Sequence, residues 1–218
     1  MSMTPVHRRH DEAPDRQLAD SVLFMALQIA EEVGWSAVTL TEVAARLGIP
    51  AARILDHYRD LDDVANAWFL QGWRAMLADA PSGFTDWPPR ERLEHCLLAW
   101  LDALAEHRRV TVQMLRTKAH LPHPHTWLPM VFDLSRTVQW WRQAAHLAAP
   151  YGSRRARLEE LALTTLFLAT LRRWARDDSP GQHATRQYLS RCLARGERLG
   201  HWLGKAPSPP GRGAAGRF

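Results

Sequence analysis

The sequence predicts an all-α protein of about nine helices, and three observations carry that prediction. Apolar residues recur at i, i+3, i+4 spacing through most of the chain. Strand-period alternation of apolar and polar residues is nowhere sustained. Glycine, proline and capping residues interrupt the helical pattern at intervals of one helix length.

The elements follow in order. Residues 1–14 are too poor in apolar side chains to repay the entropy of ordering, and they are read as a disordered arm. A first helix spans about 15–33, with Leu18, Val22, Met25, Ala26, Ile29 and Val33 on one face and Gly34 as its stop. Trp35 follows in the turn. In Thr39-Leu40-Thr41-Glu42, Thr39 caps a short helix and Glu42, three residues on, is placed to return a bond to the cap amide. That helix runs to Leu47, and Gly48 supplies the positive φ that ends it. Pro50 suits the first turn of another short helix ending near Tyr58. Asp60 caps a longer helix over about 61–80, whose first turn carries Asp62 and Asp63 at the positive end of the helix dipole.

Breaks at Pro81-Ser82-Gly83 and Pro88-Pro89 separate these from five helices at about 90–106, 108–120, 126–149, 154–176 and 180–203. Short links make them a bundle, and the segment 206–218 is a Pro/Gly-rich tail. The breaks thus divide the chain into a unit at 15–60, a linking helix at 61–80 and a helical bundle at 81–205.

Composition narrows the function classes. There is no apolar run long enough to span a bilayer and no signal-peptide pattern at the N-terminus, so the chain is expected to be cytoplasmic, without stable membrane insertion. Cys96 and Cys192 lie far apart in helical patterns, as small buried hydrophobes rather than a disulfide or thiolate metal site. The net charge of +5 is unevenly spread. Residues 1–80 carry seven Arg against twelve acids, a net of −5, whereas the remainder carries 21 Lys or Arg against 11 acids, a net of +10. His120, His123 and His125 share a proline-stiffened loop, but without a carboxylate or thiol beside them they read as a surface turn, and no metal or cofactor is expected. Glu159-Glu160 and Asp177-Asp178 are adjacent pairs that diverge on a helix or sit at its end, so no catalytic cluster is indicated and the chain is not read as an enzyme.

Two short helices joined at Gly48, the first opened by a capping pattern, have the spacing of a helix-turn-helix. The residues Gly34-Trp35-x-x-Val38-Thr39-Leu40-x-x-Val43-Ala44-x-x-Leu47-Gly48-Ile49, then Ile54, His57-Tyr58 and Asp60-x-Asp62-Asp63-Val64, resemble the DNA-binding domain of the TetR/AcrR transcriptional regulators over about residues 18–70. Beyond that the likeness is one of length and helix plan, which implies a helix-turn-helix DNA-binding domain at 15–60 and a ligand-binding and dimerisation domain at 81–205. The resemblance implies a homodimeric repressor binding a palindromic double-stranded DNA operator. It implies DNA contacts from Thr39, Thr41, Arg46, Pro50, Ala51, Arg53, His57, Tyr58 and Arg59, with the helix 50–58 in the major groove. Arg8, Arg9 and Arg16 of the arm can add contacts. Two positions depart from the family: Leu55 stands where it carries a tyrosine and Leu61 where it carries a lysine, both phosphate anchors. Four Asp against one Arg between Asp56 and Asp63 also oppose phosphate attraction.

The C-terminal helices are rich in large aromatics. Trp100, Met114, Trp127, Met130, Phe132, Trp140, Trp141, Phe167, Leu171 and Trp174 either fill a core or line a pocket for an apolar or amphipathic small ligand. Leu115, Leu128, Val131 and Leu134 fit the same set. The helix 154–176 is apolar around most of its circumference, through Leu161, Leu163, Leu166, Phe167, Leu168 and Leu171, and with 180–203 is expected to form the dimer interface. A second resemblance is to the ubiquinone-biosynthesis lipid-binding proteins, which copy the TetR fold without reading DNA. It rests on Gly34-Trp35, on the missing tyrosine and lysine, and on Trp174-x-x-Asp177-Asp178-Ser179-Pro180-Gly181. The basic, amphipathic last helix, with Arg186, Arg191, Arg195 and Arg198 among Tyr188, Leu189, Leu193, Leu199, Trp202 and Leu203, suits a bilayer surface in that reading.

Overall fold

A computed structural model describes residues 12–78, 80–119, 124–147 and 153–204; side chains are described for 15–78, 80–118, 134–147 and 153–198. The described residues form eight α-helices and four 3-10 turns, without strands. The helices are α1 (Glu12–Val33), α2 (Leu40–Leu47), α3 (Leu61–Met76), α4 (Pro89–Ala103), α5 (Arg108–Ala119), α6 (Pro124–Ala144), α7 (Arg154–Trp174) and α8 (His183–Gly204). The expected helix at 50–58 is instead a 3-10 turn, Ala51–Arg53, continued by hydrogen-bonded turns from Ile54 to Tyr58. Over the nine residues between Pro50 and the Asp60 cap, i→i+3 closure takes the amides of Arg53, Ile54 and Leu55 to the carbonyls of Pro50, Ala51 and Ala52, so the tighter turn satisfies the groups that an α-helix would have paired. The histidine loop 120–123, the arm through Asp11 and the tail from Lys205 lie outside the described residues.

One apolar core runs through the molecule, from Val22 and Leu27 of α1 through Trp68, Leu97, Trp100 and Met114 to Trp141, Trp174 and Leu189. Most of the buried indoles satisfy their N–H as they pack. Trp68 donates to Thr111 Oγ1 at 2.8 Å, Trp73 to Thr137 Oγ1 at 3.1 Å, Trp141 to the Leu93 carbonyl at 2.9 Å and Trp174 to Gln182 Oε1 at 2.6 Å. α3 lies along α4 because Gly72 leaves room for the Trp100 indole; a Cβ there would stand 2.7 Å from Trp100 Nε1. Phe69 lies parallel to that indole at 6.5 Å between ring centroids, and Phe167 meets it edge-on at 5.4 Å.

The turn from α7 to α8 is built on Asp177. Its carboxylate accepts from Ser179 N and Oγ and from Thr185 N and Oγ1, between 2.5 and 3.0 Å. Burial pushes this carboxyl up, but the four donated bonds outweigh that and hold it well below the usual carboxylate range. The same turn carries Gly181 and Gln182 at positive φ, with Gln182 held there by its bond from Trp174.

Candidate nucleic-acid interface

The local sequence sets the geometry of residues 34–60. Thr39 caps α2, accepting from Glu42 N at 3.2 Å, and Gly48, at φ 66°, closes it while Ile49 N reaches back to the Ala44 carbonyl at 3.1 Å. The second half of the expected capping box gives way to another partner: the Glu42 carboxylate takes Arg46 Nε at 2.9 Å. Asp60 caps α3 by accepting from Asp63 N at 2.9 Å.

The turns after Gly48 are fastened to α1 by two residues. Ile54 is fully buried, and Tyr58 is buried with its hydroxyl donating to the Ala19 carbonyl at 3.1 Å. Tyr58, expected to face DNA, therefore anchors the unit from inside; its burial raises the phenol above its ordinary pKa. Thr39, Thr41, Pro50, Ala51, Arg53 and Arg59 remain exposed on the outer face, with Arg46 half-exposed beside them.

Electrostatics distinguish this face from a plain cationic one. Arg46 bridges Glu42 and Glu32, at 2.9 and 2.8 Å, which raises its pKa further. Arg53 pairs with Asp56 at 3.3 Å and Arg59 with Asp63 at 3.3 Å, while the half-buried His57 stands 4.0 Å from Asp15. Arg46, Arg53 and Arg59 of this face thus each have a carboxylate beside them. Leu55, in place of the phosphate-anchoring tyrosine, projects from the surface at 61% exposure.

α5 ties this unit to the bundle, a role that sequence reading assigned to the linking helix alone. Gln113 Oε1 accepts from the Trp35 amide at 2.6 Å, and Arg109 bonds the Glu31 carboxylate at 3.1 Å and also the Glu31 carbonyl. His107 Nδ1 lies 3.3 Å from the same carboxylate, and Lys118 donates to Asn66 of α3 at 2.9 Å. The polar positions Thr111 and Gln113, set between the buried Val110 and Met114, were the signal available for it.

The aromatic set divides. Trp100, Met114, Trp141, Phe167 and Trp174 are buried members of the core, Trp140 is exposed, and Leu171 lines a groove between α5 and α7. Trp127, Met130 and Phe132 belong to the first part of α6, residues 124–133, whose side chains lie outside the described set. Among the described residues no group of His, Cys, Asp or Glu is arranged to hold a metal, and burial pushes the Cys96 thiol up to about 11, which leaves it a packing group.

No family model matches the chain, and no curated protein does. A solved structure does: the TetR transcriptional regulator from Nitrosomonas europaea ATCC 19718 is 38% identical, with a TM-score of 0.74 over 84% of this chain and 99% of that one. This chain belongs to the TetR family of transcriptional regulators. The likeness runs far beyond the 18–70 segment legible from motif residues, and it takes in the C-terminal bundle that sequence reading matched only in plan. No described helix of this TetR-family chain is long and apolar enough to cross a membrane.

Proposed function

We propose that the chain is a DNA-binding repressor that acts as a homodimer and leaves its operator when a small amphipathic ligand occupies the C-terminal bundle. The observation that carries this reading is the unit of α2 and the turns that follow Gly48: α2 is capped at both ends, and turns 51–57 are held outward by Ile54 and Tyr58. In this reading Ala51–Arg53 enters the major groove, Arg53 exchanges Asp56 for a base edge or phosphate, and Thr39 with Thr41 meets the backbone. Release follows from a shift of α3, which alters the spacing of the two reading heads. α5, bonded to α1 through Arg109 and Glu31 and to α3 through Lys118 and Asn66, supports this route from bundle to head.

Arg53→Ala tests the contact. Operator affinity measured by fluorescence anisotropy is expected to fall roughly tenfold, within the 1–3 kcal/mol of one specific contact. Unchanged affinity would contradict the assignment.

A second reading, a TetR-fold lipid-binding protein that does not grip DNA, is favoured by the carboxylates beside Arg46, Arg53, His57 and Arg59. Its membrane argument weakens at α8, where Leu189 and Leu193 are buried in the protein's own core and Arg186 is bonded to Asp102.

A further inference from the structure

We propose that Lys118 of α5 is a charge-compensating residue of the proposed reading head: its ammonium neutralises Asp62 in the first turn of α3, and operator affinity depends on that neutralisation. The inference rests on the repressor reading and deepens it, because it names a residue of the bundle that takes part in DNA binding through another side chain. Lys118 Nζ lies 2.5 Å from Asp62 Oδ1 and 2.9 Å from Asn66 Oδ1, and Asn66 Nδ2 closes the group at 3.5 Å from Asp62 Oδ2. Asp62 adjoins Asp63, whose carboxylate accepts from the backbone amide and the guanidinium of Arg59 on the outer face. The charge of Asp62 is therefore set beside the turns proposed to meet DNA.

The four aspartates from Asp56 to Asp63 oppose phosphate, so the partner of each carboxylate bears on how closely DNA can approach. Asp56 and Asp63 are matched from within the head, by Arg53 and Arg59, and Asp60 accepts the capping bond from Asp63 N. Asp62 takes its cation from the bundle instead. The two kinds of pair behave differently when a phosphate arrives. Arg53 and Arg59 are exposed and can turn from carboxylate to phosphate. The Lys118 side chain is only 15% exposed, and a largely buried ammonium is costly to leave unpaired, so it stays on Asp62. Asp62 itself is 57% exposed, and without Lys118 its charge would repel phosphates within about a Debye length, roughly 8 Å at physiological ionic strength. Lys118 rides on α5 and Asp62 on α3, so the compensation holds only while the two helices keep this register.

Fluorescence anisotropy tests the pair, using the full chain and a labelled duplex carrying the palindrome that genomic-fragment selection recovers, at low salt and again at about 150 mM. Lys118→Gln keeps a hydrogen-bond donor for Asp62 but removes the charge. It is expected to weaken binding roughly three- to tenfold at low salt and less at the higher salt. Asp62→Asn removes the opposing charge and is expected to bind at least as tightly as wild type. The double variant Lys118→Gln/Asp62→Asn, neutral at both positions with amides that can still bond, is expected to return to within about twofold of wild type. That recovery separates charge from packing: were Lys118 only a tie between α5 and α3, both single variants would weaken binding and the double variant would not recover. Melting temperatures check each fold, and Asp62→Asn and the double variant carry the test if Lys118→Gln loses stability. Unchanged affinity in Lys118→Gln, a loss that salt does not reduce, weaker binding by Asp62→Asn, or a double variant as weak as Lys118→Gln would overturn the proposal and leave the repressor reading in place. Failure of the wild type to select or bind any duplex would overturn the repressor reading and the proposal with it.

Discussion

Asp177 shows how one carboxylate organises a turn between two long helices. Ser179 and Thr185 give it four hydrogen bonds, and its pKa lies below the usual range because those bonds favour the ionised form more than burial opposes it. The ionised form therefore adds to stability at every pH above the unfolded value of about 3.9, and that contribution drains away as pH falls from there towards the lower folded value. Asp177→Asn, which keeps the shape but loses the charge, is expected to lower stability at pH 7 by roughly 2–3 kcal/mol, with the difference from wild type shrinking in acid; chemical denaturation at several pH values measures it. Gly72 makes a second test at this scale. Its place beside Trp100 leaves no room for a side chain, so Gly72→Val is expected to cost about 1–3 kcal/mol through overpacking, read as a lower melting temperature.

At the scale of elements, what was legible from sequence was local. Thr39, Gly48 and Asp60 cap their helices as their spacing implies, since each bond spans only a few residues. The pairing of Arg53 with Asp56 and of Arg59 with Asp63 lies within one turn and was visible as acidity around the reading head. Arg46 with Glu32, Arg109 with Glu31, and Gln113 with the Trp35 amide join residues far apart in the chain, and no local pattern announces them. Whether a tryptophan lines a pocket or fills a core is settled by its neighbours across helices, so the aromatic set could be listed but not placed. α7 illustrates the remaining surface. Leu158, Leu161 and Leu168 are exposed at 68%, 65% and 47%, with Thr165 between them at helical spacing, which suits burial against a second copy. Leu161→Glu is expected to shift the chain to monomer in sedimentation velocity, and an unchanged sedimentation coefficient would remove α7 from the proposed interface.

At the scale of the molecule, charge and architecture pull in different directions. The acidic N-terminal unit carries the proposed reading head, and the positive surplus lies in the bundle. Long-range attraction to phosphate is therefore modest, and in the proposed repressor operator recognition has to come from shape, exposed Thr39 and Thr41, and exchange of the intramolecular ion pairs of Arg46, Arg53 and Arg59. Such an exchange favours sequence-specific over nonspecific binding, because a partner that merely offers phosphate must outcompete a carboxylate already in place. Genomic-fragment selection with the full chain, at low salt and again at about 150 mM, tests this most directly. The repressor account predicts one palindromic site enriched at both salt concentrations, whereas no enrichment at either, with lipid co-purifying, would contradict it.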